Sequence, residues 1–394
     1  MLAVLRLPGV RSAFSLSCLG RLHMGALSLL LILHTHDLTG SFARGGIVAG
    51  AYTLALGASN PALARIVDRT GQGLMLRAGA VVSATGTVVL VSLPAGSSTL
   101  TLAACAVVTG AAQPPLGACM RALWPQLTPP ELRHTALALE GVANEIVYIA
   151  GPVVIVGGIG SWSVPGALIA CAVAAVIGNV AFSLHPASRA WHPVADVQRH
   201  LAGALRGGGV RVLMAVFALC GLGVGAVEVA VPATLEPLGE EGLTGPLLGL
   251  WGIGSLIGGI AIARAGAAAN PPRRLGWLLM AWGAAHAALA LATGPASLAV
   301  LLLIAGVAIA PTIVDSNAML DVLAPPGTLT EAFTWTTAGL TAGVAAGAAL
   351  AGALVESASP ALALGVLSAG GVLAGLLVLA AATGPLRAAA PARS

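Results

Sequence analysis

The sequence predicts an all-α membrane protein, with twelve transmembrane helices arranged as two pseudo-symmetric six-helix bundles. Three observations carry that expectation. Only 8% of the 394 residues are charged and 57% are hydrophobic, with a mean hydropathy of +0.95. A soluble domain is about a quarter charged, so no water-facing surface can be built from this composition. The apolar residues fall in blocks of about 20, long enough to cross a hydrocarbon core of about 30 Å at 1.5 Å per residue. Finally, all 18 basic residues are arginine, and threading twelve spans leaves sixteen of them at one membrane face.

The spans follow in order. The first, 12–34, comes after Arg6 and Arg11 and has no small-residue cleavage site at its end, so it is expected to be retained as a helix. The second, 45–66, carries Gly46 and Gly50 on one face and is followed by a polar loop containing Asp68 and Arg69. A third, 74–94, and a fourth, 100–124, come next, the latter ending in Arg121 and a Pro129-Pro130 turn. Glu140, Asn144, Glu145 and Gly151-Pro152 lie in the fifth, 135–158; the sixth is 162–184. Then comes the longest polar stretch, 185–209, a linker between halves 1–184 and 210–394.

In the second half the spans are 210–235 with Glu228, 244–263 with Gly254 and Gly258, and 275–293 with His286. The last three are 297–320 with Asp315 and Asn317, 330–355 with Gly339, Gly343 and Gly347, and 361–383. The small-xxx-small glycines let backbones approach closely. Sliding the chain by 196 residues sets Pro115 on Pro311 and Pro129-Pro130 on Pro325-Pro326, the mark of an internal parallel repeat. Trp124, Trp162, Trp191 and Trp277 lie near span ends as expected for interfacial anchors.

Because cytoplasmic loops carry the basic excess, the arginine pattern predicts both termini in the cytoplasm of a plasma (inner) membrane protein. Only Arg44 falls on the opposite side, and Arg21 lies within a span. Several function classes drop out. The arginines are spread over short loops, so the net charge of +4 does not predict nucleic-acid binding. The five cysteines sit in apolar segments without CxxC or metal-ligand spacing, and no metal or cofactor is expected. With no phosphate-binding loop, H-E-x-x-H or G-x-S-x-G pattern, the chain is not expected to be an enzyme or an ATP-driven pump.

After the second span the sequence reads Ala64-Arg65-Ile66-Val67-Asp68-Arg69-Thr70-Gly71-Gln72-Gly73. This resembles the major facilitator signature between helices two and three, with Asp68, Arg69 and Gly71 matching, Ala64 in place of glycine, and Gln72-Gly73 in place of basic residues. Gly151-Pro152 with Gly157-Gly158 in the fifth span is similar to the helix-five motif of that family's drug:proton antiporters, with four intervening residues instead of two. The resemblance implies the major facilitator fold and secondary active transport of a small molecule by a monomer in the lipid bilayer. It further implies that helices one, four, seven and ten line a cavity, and that Asp68 latches the cytoplasmic gate against the start of helix eleven near Thr330. The plain alternative for that loop is a solvated turn.

Ionisable groups inside spans are costly and mark candidate function. Here they are Arg21, His23, Arg121, Glu140, Glu145, Glu228, His286 and Asp315, with Asn144 and Asn317 as further polar groups that need partners. Counting from the span starts puts Arg21 and Glu145 both about 15 Å deep, so they are expected to pair. Arg121 and Glu140, nearer the inner surface, are expected either to pair or to snorkel to the interface. Glu145 beside Arg21, or an unpaired Asp315 or Glu228, is a candidate to bind and release a proton. His23 suits proton shuttling but also a structural hydrogen bond, and His286 falls on a supporting helix. The leading expectation is proton-coupled efflux of a small amphipathic molecule. The alternatives are a proton-coupled importer of a metabolite and a membrane sensor that keeps the fold without transporting.

Overall fold

A computed structural model describes residues 2–191, 203–266 and 268–387. His192, Asp196, Arg199 and His200 of the linker, and Arg393, lie outside the described residues, as do the side chains of Asp68 and Thr330. Among the described residues every regular element is helical. Twelve long helical segments follow one another: α1 Val10–Thr39, α2 Phe42–Thr70, α3 Gln72–Val91, α4 Thr99–Leu127, α5 Arg133–Ala150 continued by Gly151–Gly160, and α6 Val164–Leu184. They continue with α7 Gly208–Leu235, α8 Thr244–Ala265, α9 Pro271–Ala287, α10 Pro295–Leu323, α11 Leu329–Ser357 and α12 Pro360–Ala381. Eleven are long and apolar enough to cross a membrane. The remaining one, α9, is a 17-residue helix extended by a 3-10 turn at Ala288–Leu291, and Gly276 and Gly283 seat it against α12.

The helices are interrupted where the chain cannot complete its hydrogen-bond ladder. In α4, Pro114 and Pro115 lack the amide N–H and force extended geometry before them, splitting the helix between Ala111 and Leu116. In α10 a break falls at the equivalent place in the repeat, between Gly306 and Ile309. In α5, Pro152 opens a π-helical stretch, Gly151–Gly160, a wider ladder that absorbs the missing donor. A 3-10 turn at Leu22–Gly25 breaks α1, whereas α7, its repeat partner, is continuous from Gly208 to Leu235.

Two expectations are corrected by the fold. The Asp68-Arg69 motif is not in a loop: α2 runs on to Thr70, and the turn is the single residue Gly71, whose φ of +86° favours glycine. Trp124 is not an interfacial anchor but core, 2% exposed and 6.1 Å from the ring of Phe14, because it faces α1 within the bundle. Trp162 and Trp277, by contrast, are exposed, as anchors should be.

One face of the bundle carries the arginine-rich loops; the other carries Asp37, Glu236, Glu240, Glu241 and Glu356, near the ends of α1, α7, α8 and α11. Toward the acidic face the first six helices meet the last six. Gly46 and Gly50 of α2 lie against the carbonyls of Ala348 and Ala345 of α11, and Gly157 and Val153 of α5 lie against Gly245, Pro246 and Gly249 of α8. A single apolar cluster there joins α1 residues such as Leu30 to Val231 of α7 and Ala351 of α11. Toward the basic face the core is divided. One cluster, around Leu123 and Phe182, belongs to the first half, and another, around Leu213 and Leu279, to the second. The halves are therefore joined at the acidic face and part toward the basic one.

A polar site at the closed end of the cleft

Arg21 ends the first segment of α1, Val10–Arg21, and is 3% exposed. Its Nη1 donates to Glu140 Oε1 at 2.6 Å and to Asn144 Oδ1 at 2.9 Å, and its Nε donates to the Ser17 carbonyl at 3.1 Å. The expected pairing of Arg21 with Glu145 is thus not formed, for two reasons of helix geometry. Side chains on a helix lean toward its N-terminus, so the long arginine reaches back past Ser17 and meets α5 nearer the basic face. Glu140 and Asn144 are four residues apart on one face, while Glu145 is turned away by about 100°. Glu145 stands half-buried instead.

The expected Arg121–Glu140 pair is also absent among the described residues, since Glu140 is taken by Arg21. Arg121 is exposed and flanks Gly117 of α4 together with the Arg21 guanidinium. Asp315 was expected to be unpaired and is not. Arg274 at the start of α9 grips it with two bonds of 2.6 and 2.7 Å and donates a third, of 2.8 Å, to the Gly266 carbonyl closing α8. Asp315 is consequently a clamp for three helices. Counting had assigned Arg274 to a loop, and its reach across to α10 leaves no trace in sequence spacing. Asn317, two residues on, is half-buried on another side of α10.

Glu228 of α7 accepts a 2.7 Å hydrogen bond from Ser28 Oγ of α1, a direct polar link between the two halves. Tyr148 follows Glu140 and Asn144 at four-residue spacing on α5 and lies within range of the charges of Glu228, Arg21 and Glu145. Surrounded by groups from α1, α5 and α7 it faces the centre of the bundle, and yet it is 54% exposed. The cleft from the basic face therefore penetrates to Tyr148. His23, in the break of α1, is buried and faces Gln113, whose Oε1 accepts from the Tyr52 hydroxyl at 2.7 Å. His286 has a structural role: its Nε2 accepts from Trp251 Nε1 at 3.0 Å, and its Nδ1 lies 2.8 Å from the Trp282 carbonyl.

The helix-five motif sets this geometry. Gly151 and Gly25 pack backbone to backbone, and a Cβ at Gly25 would fall 2.6 Å from the Val147 carbonyl. That contact seats α5 in the break of α1 and so presents Glu140 and Asn144 to Arg21. Pro152 follows at once and widens the helix, delivering Gly157 to α8. Of the gating motif, Arg69 is exposed at the end of α2, and the contact expected of Asp68 lies outside the described side chains.

Ser28, Tyr52, Gln113 and Tyr148 were not singled out from sequence. Only Tyr148 had a signal, its register with Glu140 and Asn144. The closure at the acidic face was missed as well. Glu356 at the end of α11 accepts from Ser41 Oγ and, at 3.1 Å, from the Ala43 N–H, so it caps the N-terminus of α2 in the opposite half. Beside it His36 stacks on Phe42 with ring centroids 4.0 Å apart, and His36 Nε2 lies 3.4 Å from Glu236 Oε1 of the 3-10 turn that extends α7.

Known structures share this architecture. The nucleoside transporter NupG superposes with a TM-score of 0.76 at 12% identity, covering 93% of this chain and 99% of that one. A POT family transporter solved with a thioalcohol-conjugated peptide gives 0.73 at 12% identity, covering 95% and 96%. The human organic anion transporter MFSD10 (TETRAN) gives 0.63 at 18% identity, covering 94% and 99%. At these identities the likeness is one of fold. No curated protein matches the sequence itself. The family model of the Major Facilitator Superfamily, however, matches residues 13–295, most of the chain. With twelve helices in two six-helix halves around a polar cleft, this chain belongs to the Major Facilitator Superfamily of membrane transporters.

Proposed function

We propose that the chain is a proton-coupled exporter of a small amphipathic molecule, working as a monomer in the plasma membrane with its basic face and both termini in the cytoplasm. Residues 1–184 and 210–394 are the two moving units, and 185–209 is the linker between them. In this reading the conformation is inward-facing: the cleft takes up solute from the cytoplasm, and rocking of the halves opens the acidic face to release it. Tyr148 offers an aromatic surface and half-buried Asn144 and Glu145 a polar one, held in place by the buried Arg21–Glu140 pair, the combination an amphipathic solute needs.

One observation carries the coupling. The Ser28–Glu228 hydrogen bond joins the halves at the end of the cleft, so the charge on Glu228 bears on whether they part. A carboxylate alternately exposed to the two sides can exchange a proton for solute. Glu145, half-buried beside Tyr148, is the second carrier. The test uses purified protein in proteoliposomes with an imposed pH gradient and a panel of amphipathic dyes, ethidium among them. Gradient-driven dye movement that is abolished in Glu228→Gln while downhill exchange persists is the expected result. Dye co-transport with protons would reverse the direction in favour of import, and unaltered coupling in both Glu228→Gln and Glu145→Gln would remove proton exchange at these residues.

A further inference from the structure

A cleft of about 700 Å³ lies on the basic face of the first half, away from the central site, where α2 turns into α3 beside the end of α6. Arg69, Arg77 and Arg189 line it, and none of its twelve lining residues is acidic. Its floor is fixed. Gln72, 1% exposed, donates to the Cys119 carbonyl at 3.1 Å and accepts from Ser188 Oγ at 2.8 Å, tying α3 to α4 and to the short helix Pro186–Ala190. The walls are charged, and the described side chains, which do not include that of Asp68, show no ion pair to them. Arg77 spends only its Nε, on the Gly73 carbonyl at 3.0 Å, and Arg69 and Arg189 make no ion pair among the described residues.

Three guanidinium groups around one rigid cleft repel one another unless an anion sits among them. The start of α3 adds to the positive potential, because its N-cap is Gly71, with no side chain to cover the first amides. Guanidinium forks match the oxygens of phosphate, as they do those of carboxylate, with paired hydrogen bonds. The rim has a second character. Leu74 is 65% exposed and Leu184 53%, and Trp191 also lines the cleft. These apolar groups stand where α3 and α6 enter the membrane interface. A free inorganic phosphate has no use for them; a phosphate carrying acyl chains does.

We propose that this cleft binds the phosphodiester headgroup of an anionic glycerophospholipid from the leaflet at the basic face, with Arg69, Arg77 and Arg189 on the phosphate and Leu74, Leu184 and Trp191 along the acyl chains. The site is independent of the direction of transport. It joins α2, α3 and α6 with the first residues of the linker, so the lipid braces the place where the first half hands over to the connection between halves.

The test is a thermal-shift titration of the full chain in neutral detergent with phosphatidylglycerol, phosphatidylcholine and inorganic phosphate, with bound lipid counted by native mass spectrometry. Phosphatidylglycerol is expected to stabilise and to be retained, and the other two are not. The exposed pair Arg77→Gln/Arg189→Gln is expected to weaken phosphatidylglycerol binding about ten-fold or more, a few-fold per arginine. The pair Arg264→Gln/Arg273→Gln, exposed basic-face residues outside the cleft, is expected to leave it unchanged and controls for the loss of two charges. Equal shifts with inorganic phosphate would reassign the site to the free anion and overturn the lipid proposal. Equal retention of phosphatidylcholine, or undiminished binding in the double variant, would overturn it too.

Discussion

Glu356→Gln tests the closure at the acidic face. In the structure one carboxylate oxygen accepts from the Ser41 hydroxyl and the Ala43 N–H at the start of α2, and these bonds exist only while α2 and α11 are together at that end. Glutamine preserves the shape and an acceptor but removes the charge. A hydrogen bond to a charged group contributes about 1.5–3 kcal/mol and a neutral one about 0.5–1.5, and a charge at a helix N-terminus adds about 0.3–1. Glu356 is exposed, so the lower ends apply, for a loss of about 1–1.5 kcal/mol. That is about a five- to ten-fold rise in the population open at the acidic face. The reporter is Ala345→Cys, buried at the seam against Gly50, in a chain whose five native cysteines are replaced by serine. Its labelling rate by a membrane-impermeant maleimide follows the open fraction. A rate within two-fold of the parent in Glu356→Gln, with Ser41→Ala equally silent, would refute the argument that this cap holds the halves shut.

Two further predictions follow from local geometry. Arg21→Ala and Glu140→Ala each leave a buried charge unmatched and are expected to cost about 3–5 kcal/mol, whereas the double variant recovers part of the loss; thermal unfolding in detergent measures this, and simple additivity of the two losses would contradict a direct pair. His185, just beyond α6, accepts the Ala187 N–H on Nδ1 and meets Ser12 Oγ at 3.0 Å through Nε2, and burial pushes its pKa below the usual 6.5. The folded contact excludes the proton that the free imidazole takes up, so the contact is intact above pH about 6.5 and weakens as pH falls from there through the shifted value. Hydrogen exchange at the Ala187 amide, corrected for intrinsic rate, should lose protection between pH 7.5 and 5.5, and constant protection would rule the linkage out.

Most of the fold was legible because hydrophobic length and arginine placement are properties of the chain that the bilayer reads directly. The prolines were legible as repeat positions but not the breaks within spans, and the repeat predicted that α4 and α10 end alike, as they do in extended residues Thr128 and Ala324. The site was legible only in composition. Sequence indicated that Arg21, Glu140, Glu228 and Asp315 matter; it did not indicate their partners, since pairing depends on where long side chains lean and how helices are rotated. Arg21 was matched to the wrong glutamate by counting depth along straight rods, and Asp315 lost its expected freedom to an arginine that a loop assignment had set aside. The cap made by Glu356 had no sequence signal at all, because serine and glutamate 315 residues apart meet only once the two halves close.

The 3-10 break at Leu22–Gly25 divides the first helix between two allegiances. Its lower length, Val10–Arg21, is bolted to α5 of its own half by the arginine; its upper length, Leu27–Thr39, is fastened to α7 of the other half through Ser28 and His36. A continuous rod would have to drag the arginine cluster along whenever the upper end let go. A jointed one need not: it can bend at the break, so that the upper length moves with the neighbouring ends of α2 and α6, on which it mainly packs, while the lower stays put. Opening to the far side can then begin along the contact between α1 and α7, before either bundle has turned as a whole.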